Sequence, residues 1–310
     1  MVEAAKLNHI DTPVDEEFQI VGAGYKIHTP EFRKPMVRDK LRGKPIASII
    51  ILSFIAFGCI CAGLFANHDP NGFYLTNLDS APGGEFFFGT DSLGRDIYSM
   101  IWYGGRVSLV VGLLGAAIIA VIGVIYGSIA GTSNTKVESA MMRAVEICGS
   151  IPTILFTLIV SATIQANNVI SLSFVIGIVG WFSLARIVRS EVRQIRNGEY
   201  VLYARSCGGK FLYVMNQHLL PNFLSAIMFV VISSVSTCIT TESTLSFLGL
   251  GLPIDVISWG SMLSLGDKAL MTGSWWVIVF PGVFIVATLL CITNLGNFMR
   301  KETNRKPSNL

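Results

Sequence analysis

The residues that could carry chemistry are few in this sequence, and their spacing does not form a catalytic or metal-binding set. The 310 residues include six cysteines and four histidines, with no Cys-x-x-Cys pair and no Cys/His pair at metal-ligand spacing. Small buried thiols explain such scattered cysteines best. The tripeptide Gly208-Gly209-Lys210 is incomplete as a phosphate loop, because Phe211 replaces the required Ser or Thr. We therefore predict neither an ATP site nor a metal site nor a catalytic centre in this chain.

Three charged residues, Asp91, Arg95 and Asp96, gather just before a long apolar run. Their spacing of four and one residues allows them to pair with one another or to cap the helix that follows. The glycines at positions 89 and 94 would permit a tight turn before that helix. On residue chemistry, a structural cap is the favoured interpretation.

Two acidic residues, Glu146 and Glu242, lie in or beside apolar runs. Glu146 follows Arg143 by three residues, so a helical ion pair between them is predicted. Glu242 stands just before Ser243-Thr244, near the end of another apolar run. Such a residue either faces a partner subunit or lines a polar path, and the sequence leaves both interpretations open.

Composition places these residues in a membrane protein. Hydrophobic residues make up 52% of the chain and charged residues only 14%, and the mean hydropathy is +0.59, which argues against a cytosolic enzyme. A bilayer core of about 30 Å needs ~20 helical residues, so the charge-free runs predict six spans. A polar break at residues 165–168 divides the longest run into two. The predicted spans are residues 46–66, 105–131, 140–165, 169–190, 220–247 and 275–298.

The distribution of cations predicts which side each end of the chain faces. Of the 23 Lys and Arg, 20 lie in the two tails, at residues 136 and 143, or between residues 186 and 210, which leaves Arg95, Arg106 and Lys268 on the other side. Because cytoplasmic segments are enriched in cations, both termini are predicted to be cytoplasmic. The predicted order is a cytoplasmic N-terminal tail, a first span, an extracytoplasmic segment, a core with five spans and a cytoplasmic C-terminal tail, at residues 1–45, 46–66, 67–104, 105–298 and 299–310.

The polar segment after the fourth span predicts helices that lie outside the bilayer. It begins with four arginines on one helix face, Arg186, Arg189, Arg193 and Arg196. They follow the apolar run instead of interrupting it, so a solvated face is favoured over a voltage sensor. Two short amphipathic helices follow, separated by Gly208-Gly209, and Pro221 is predicted to lie in the first turn of the fifth span.

The second predicted span carries a row of glycines along its length. Small residues let membrane helices approach one another closely. This span is therefore predicted to pack tightly against its neighbours. The glycines concerned are Gly112, Gly115, Gly123, Gly127 and Gly131.

The segment between the fourth and fifth spans resembles the EAA loop of bacterial ABC-importer permeases. Glu199, Ala204 and Gly208 match Glu-x-x-x-x-Ala-x-x-x-Gly, and Leu220-Pro221 stands where the family has Leu-Pro. Tyr203 departs from the pattern, because it replaces the first of two usual alanines. Other segments resemble the C-type permease of dipeptide, oligopeptide and nickel importers, so that the resemblance covers roughly residues 44–298. These segments are residues 88–96, 104–109, 245–251, 258–260, 275–276 and 280–282.

The resemblance implies an all-α membrane protein with the type I permease fold, six transmembrane helices and a cytoplasmic coupling helix between spans four and five. It implies a multi-pass subunit of the cytoplasmic (inner) membrane that pairs with a homologous second permease, two ATP-binding subunits and an extracellular or periplasmic substrate-binding protein. No cofactor is expected on this chain, since ATP and Mg bind the partner subunits, and the chain is expected to be a transporter subunit and no enzyme. The implied substrates are short peptides, with nickel or a metal chelate as the alternative.

The resemblance also implies roles for individual residues. A coupling helix within residues 199–215 would lie in a groove of one ATPase subunit and pass its closure to the spans as a rigid-body tilt. The role of Glu242 is left open between the path and the subunit interface. The implied coupling residues are Glu199, Tyr200, Tyr203, Ala204, Gly208, Lys210 and Pro221.

Two other classes of protein fit the sequence less well. A secondary transporter would need paired repeats with midplane charges or broken helices, and an intramembrane enzyme would need a nucleophile and a base at depth. Only Glu242 approaches such a position, because His218 lies at the inner boundary. The sequence therefore favours an importer subunit over both.

Overall fold

The computed structural model of the chain describes residues 45–196, 206, 220–253 and 255–305. Within these ranges the secondary structure is helical, apart from a single antiparallel bridge between Thr90 and Asp96. The all-helical class predicted from the sequence is therefore confirmed for this part of the chain. The predicted N-terminal tail up to residue 44, most of the predicted coupling segment and the last five residues lie outside the described residues.

The helices differ widely in length. Several of them are continuous through a predicted span, and others break within one. In chain order they are α1 (Ile46–Ile60), α2 (Ala62–Phe65), α3 (Ile97–Thr132), α4 (Thr135–Gly149), α5 (Thr153–Ile164), α6 (Val169–Gly180), α7 (Phe182–Arg196), α8 (Leu220–Phe247), α9 (Trp259–Leu263), α10 (Gly266–Thr272) and α11 (Trp276–Arg305).

Three of these helices, α3, α8 and α11, contain stretches long and apolar enough to cross a bilayer. The bent pairs α4–α5 and α6–α7 raise the number of candidate spans to five if each pair crosses as one. Helix α1 is apolar as well, but it has only 15 residues. Helices thus occupy all six predicted positions, and six membrane crossings stay a prediction.

The third and fourth predicted spans each consist of two helices. Helices α4 and α5 meet at 88°, where one span was predicted over residues 140–165. Pro152, between them, explains the break, because proline has no N–H for a helical hydrogen bond and disfavours helical backbone at the preceding Ile151. Helices α6 and α7 meet at 48° around Trp181.

Helix α3 packs closely against α7 and α8 through its glycines. A Cβ added at any of the five predicted packing positions would lie only 2.6–2.9 Å from an atom of a neighbouring helix. Near the middle of α3, Gly112 faces Ile239 of α8, and near its end Gly131 faces Val192 of α7. The predicted close packing is therefore confirmed, since any side chain at these positions would push the helices apart.

Residues 67–96, which we call the loop layer, lead into the N-terminus of α3. Asp91 forms an ion pair with Arg95, with Nε 2.8 Å from Oδ2, and Asp96 caps α3 by accepting the Ser99 N–H at 3.0 Å. Gly89 and Gly94 have φ of 75° and 76°, a conformation that favours glycine. The predicted pair, cap and tight turn are all confirmed.

The loop layer is fastened to the N-terminal end of α11. The rings of Phe88 and Phe280 stack with centroids 4.0 Å apart, and the Trp276 indole N–H donates to the carbonyl of Thr90 at 3.0 Å. The Ser274 hydroxyl, just before α11, donates to Asp79 Oδ1 at 3.0 Å. Two motifs that are almost 190 residues apart in the sequence, at 88–96 and 275–282, are thus in contact.

Candidate functional site

Glu242 is the centre of a buried polar cluster near the C-terminal end of α8. Its side chain is fully buried, and four serine hydroxyls donate to its carboxyl oxygens. Ser246 and Ser258 reach Oε1 at 2.9 and 2.7 Å, and Ser108 and Ser243 reach Oε2 at 3.1 and 3.4 Å. We call these five residues the serine cluster.

The serine cluster joins three helices that come together because of small residues. Ser108 belongs to α3, and its Oγ also accepts the backbone N–H of Trp259 at 3.2 Å. Ser258 is the N-cap of α9 and accepts the Ser261 N–H at 3.0 Å. Gly260 allows α9 to lie directly on α8, since a Cβ there would be 2.5 Å from the Ser243 Cα. The motifs at 104–109, 245–251 and 258–260 therefore meet at Glu242.

The surroundings of Glu242 within this chain are described by the structure. The two roles that the sequence left open, a path residue or a subunit-interface residue, stay predictions. In the structure the group is enclosed by α3, α8 and α9, and the hydroxyl donors take the place of water. Within the described ranges no Lys, Arg or His forms an ion pair with it.

A second buried acid, Glu138, pairs with arginines at the far end of α3. Its Oε1 accepts from Arg193 Nη1 at 3.1 Å and forms an ion pair with Arg189. Arg196 Nη1 donates to the carbonyls of Gly131 and Ser133 at 3.2 and 2.9 Å, where α3 ends. We call Glu138, Arg189, Arg193 and Arg196 the arginine cluster.

The four arginines of α7 all keep contact with solvent, as predicted for a solvated face, and Arg189, Arg193 and Arg196 in addition contact α3, α4 or the link between these helices. The ion pair predicted between Arg143 and Glu146 is wrong, because both side chains are exposed and form no salt bridge. Those two residues lie on the free face of α4, whereas Glu138 lies on the face toward α7.

A row of hydroxyl side chains follows one face of α8, and sequence reasoning missed it. Ser236, Thr237, Thr240, Thr241 and Thr244 recur at helical spacing of three and four residues. They line a groove of about 360 Å³ together with Ile154 of the α4–α5 pair and with Leu289 and Thr293 of α11. We call it the hydroxyl groove, and none of the described residues that line it is charged.

The threonine hydroxyl oxygens of α8 present hydrogen-bond acceptors to the hydroxyl groove. Thr240, Thr241 and Thr244 donate to the carbonyl oxygens four residues earlier at 2.9, 2.9 and 2.7 Å. A carbonyl oxygen can only accept, so each hydroxyl proton points back to the helix. The oxygen lone pairs remain available to a donor in the groove.

The predicted coupling residues fall almost entirely outside the described residues. Pro221 is the exception, and its backbone lies in the first turn of α8, as predicted. The predicted coupling segment begins just after Arg196, the last residue of α7, and its motif ends at the start of α8. The residues that lie outside are Glu199, Tyr200, Tyr203, Ala204, Gly208 and Lys210.

Known proteins are similar to this chain over most of its length. Residues 123–301 match the family model described as binding-protein-dependent transport system inner membrane component. The chain is 35% identical over 279 residues to the dipeptide transport system permease protein DppC of Bacillus subtilis, which covers 90% of this chain and 86% of that protein. It is 34% identical to the oligopeptide transport system permease protein OppC of Bacillus subtilis, over 89% of this chain and 90% of that protein. The similarity to OppC of Haemophilus influenzae is 37% over 84% of each chain.

Proposed function

Because this chain belongs to the family of binding-protein-dependent transport system inner membrane components, we propose that it is the permease subunit of an ATP-driven importer of short peptides. Relatives named as dipeptide and oligopeptide permeases support the substrate class. In this proposal both termini are cytoplasmic, and the loop layer faces the side from which substrate arrives. ATP hydrolysis belongs to partner subunits that bind ATP and Mg.

The proposed assembly contains a homologous second permease, two ATP-binding subunits and an extracellular or periplasmic substrate-binding protein. The coupling contact is proposed for residues 199–215, which include Glu199 and Gly208. The arginine cluster supports this placement, because it fastens α7 to α3 and α4 and its last residue, Arg196, lies three residues before that segment begins. A displacement of the coupling segment would then move three helix ends together.

The hydroxyl groove is the observation that carries a transport function for this chain. Hydroxyl groups on a membrane helix are poorly accommodated by lipid tails, and a full face of them indicates contact with water or substrate. The outward acceptors match the N–H groups of a peptide main chain, which every peptide has whatever its side chains. Since the described residues that line the groove are all uncharged, they fit a path that admits peptides of different sequence.

The proposal is tested by uptake of a labelled peptide into proteoliposomes that contain the complete transporter. We expect uptake to require ATP and peptide-loaded binding protein. Thr240→Val combined with Thr244→Val should lower the maximal uptake rate several-fold, because the methyl group that replaces each hydroxyl cannot accept a hydrogen bond. Thr240→Ser with Thr244→Ser should retain most of it.

A matched control uses a threonine of the same type outside the groove. Thr163 on α5 donates to the Ile159 carbonyl at 2.7 Å, and Thr163→Val should leave uptake unchanged. Equal losses in the groove and control variants would contradict the path. Uptake of radioactive nickel or of a metal chelate with no uptake of peptide would contradict the substrate and favour a metal importer.

A further inference from the structure

Two faces of the same turn of α8 carry different polar groups. Thr241 and Thr244 line the hydroxyl groove, whereas Glu242, one residue further along, is turned by about 100° toward α3 and α9. Any shift in the position of Glu242 therefore moves groove residues of its own helical turn. The serine cluster and the groove thus lie on different faces of one segment of α8.

The serine cluster also connects α8 with the loop layer. Through Ser258 it holds the N-terminus of α9, whose indole N–H at Trp259 donates to the Ile101 carbonyl of α3 at 2.9 Å. Helix α9 runs on into α10, and Ser274 after α10 donates to Asp79 of the loop layer. Leu270 and Met271 of α10 are 70% and 90% exposed. An exposed surface is thus joined to the groove by a continuous series of contacts.

The chemistry of this connection is unusual for a helix contact that only stabilises the fold. An apolar side chain would fill the same space without the penalty of burying an acid that pairs with no cation among the described residues. A carboxyl group that accepts four hydroxyls instead fixes direction as well as distance for three elements at once. Such a hydrogen-bonded network can hold one discrete arrangement and release it as a unit.

We propose that Glu242 is a positioning residue which joins the groove-bearing turn of α8 to α9 and the loop layer, so that docking of the loaded binding protein is transmitted to the hydroxyl groove. This inference rests on the proposed importer function. Glu242 itself touches neither substrate nor binding protein. Its removal should therefore weaken the response to docking, while docking itself continues.

The test measures ATP hydrolysis by the complete transporter with and without peptide-loaded binding protein. In Glu242→Ala we expect the ratio of stimulated to unstimulated activity to fall about tenfold, within the usual range of coupling between distant sites. The concentration of binding protein that gives half-maximal stimulation should change little. Glu242→Gln should keep most of the stimulation, because its amide oxygen can accept from Ser246 and Ser258 and its NH₂ group can donate to Ser108 and Ser243.

Serine variants test the network without removing the acid. Ser246→Ala and Ser258→Ala each remove one donor to Oε1 and should lower the stimulation ratio in the same direction. Ser234→Ala is the matched control on α8, because Ser234 donates only to the Val230 carbonyl at 2.9 Å, and it should behave as wild type. If Glu242→Ala does not assemble, these serine variants decide the question.

Three results separate failure of this inference from failure of the proposed function. A wild-type stimulation ratio in Glu242→Ala and in both serine variants would overturn the positioning role. A parallel loss of stimulated and unstimulated activity, equal in the Ala and Gln variants, would overturn it as well, because it indicates a role in folding only. No stimulation of the wild-type complex by any peptide-loaded binding protein would instead contradict the importer proposal.

Discussion

Glu138 of α4 and Glu242 of α8 are both buried acids, and they lie beside well-separated parts of the long helix α3. The chain stabilises them in different ways. The residues of α3 at the two sites, Ser108 and Gly131, are separated by about 35 Å of helix. Glu138 is paired with Arg189 and Arg193, whose side chains are 29% and 56% exposed. Glu242 has four hydroxyl donors, and within the described residues no cation pairs with it.

The difference follows from where water can reach. An arginine can pair with Glu138 and still keep part of its guanidinium in solvent, so the pair avoids most of the desolvation penalty. At Glu242 a cation would itself be buried, and its penalty would add to that of the acid. Hydroxyl groups supply hydrogen bonds without a second buried charge. The arginine cluster is therefore suited to a position close to solvent, and the serine cluster is suited to the protein interior.

The largest expected effect concerns the predicted membrane topology, which decides the side of the membrane to which each cluster is closer. Single cysteines at Asn77 and Lys268, in a cysteine-free background, should react with an impermeant maleimide in intact cells, whereas one at Asn304 should not. The reason is that 20 of the 23 cations are predicted to be cytoplasmic. Labelling is measured by mass shift, with permeabilised cells as the control for reactivity. Equal labelling at all three positions in intact cells would contradict the predicted topology.

A smaller but substantial effect is expected from crowding the serine cluster. Gly260→Ala places a Cβ 2.5 Å from the Ser243 Cα and 2.9 Å from its carbonyl oxygen. Backbone atoms cannot move aside as a side chain can. We therefore expect the free energy of unfolding to fall by about 1–3 kcal/mol and the Tm of the detergent-solubilised protein to fall by several degrees. Thermal unfolding of the purified chain measures it.

The matched control for Gly260→Ala is Gly282→Ala in α11. A Cβ at Gly282 meets nothing within 4 Å, and alanine is the better helix former. Its Tm should therefore be equal to or above that of the wild type. If the two variants lost the same stability, the close contact between α8 and α9 would not be the cause.

The helix cap and the glycine row could be predicted from the sequence, whereas the ionic partners could not, either for the local pair of Arg143 and Glu146 or for the distant partners of Glu138. The cap at Asp96 depends on residues within one helical turn, and the glycine row of α3 has a periodicity that is visible directly. The partner of Arg189 is Glu138, 51 residues away, and it depends on how α4 lies against α7. The bend at Pro152 had a sequence signal, but the absence of charge there suggested one uninterrupted span.

The hydroxyl groove could be predicted from the sequence only in part. The spacing of Ser236, Thr237, Thr240, Thr241 and Thr244 is helical and readable in the sequence. Spacing alone does not tell whether such a face meets a neighbouring helix or an open groove. That distinction depends on the positions of Ile154 and Leu289, which belong to other helices. The same limit applies to Glu242, because its serine donors come from segments up to 134 residues away.

The smallest expected effect separates the two acids by their response to salt. Glu138→Gln removes the charge that Arg189 and Arg193 share, and since Arg193 is more than half exposed, we expect a loss of only about 1 kcal/mol or less. Raising the ionic strength from about 0.05 to about 0.5 M shortens the screening length severalfold. The stability difference between wild type and Glu138→Gln should therefore shrink at high salt, as measured by thermal unfolding at both salt concentrations. Glu146→Gln is the control, because Glu146 on the same helix is exposed and forms no salt bridge with any described residue, and it should change stability at neither concentration.

For Glu242→Ala the loss of stability should be the same at both salt concentrations, because the donors around Glu242 are neutral and buried. A salt-dependent loss in Glu242→Ala, or a salt-independent one in Glu138→Gln, would mean that the two clusters do not differ in the way their contacts indicate.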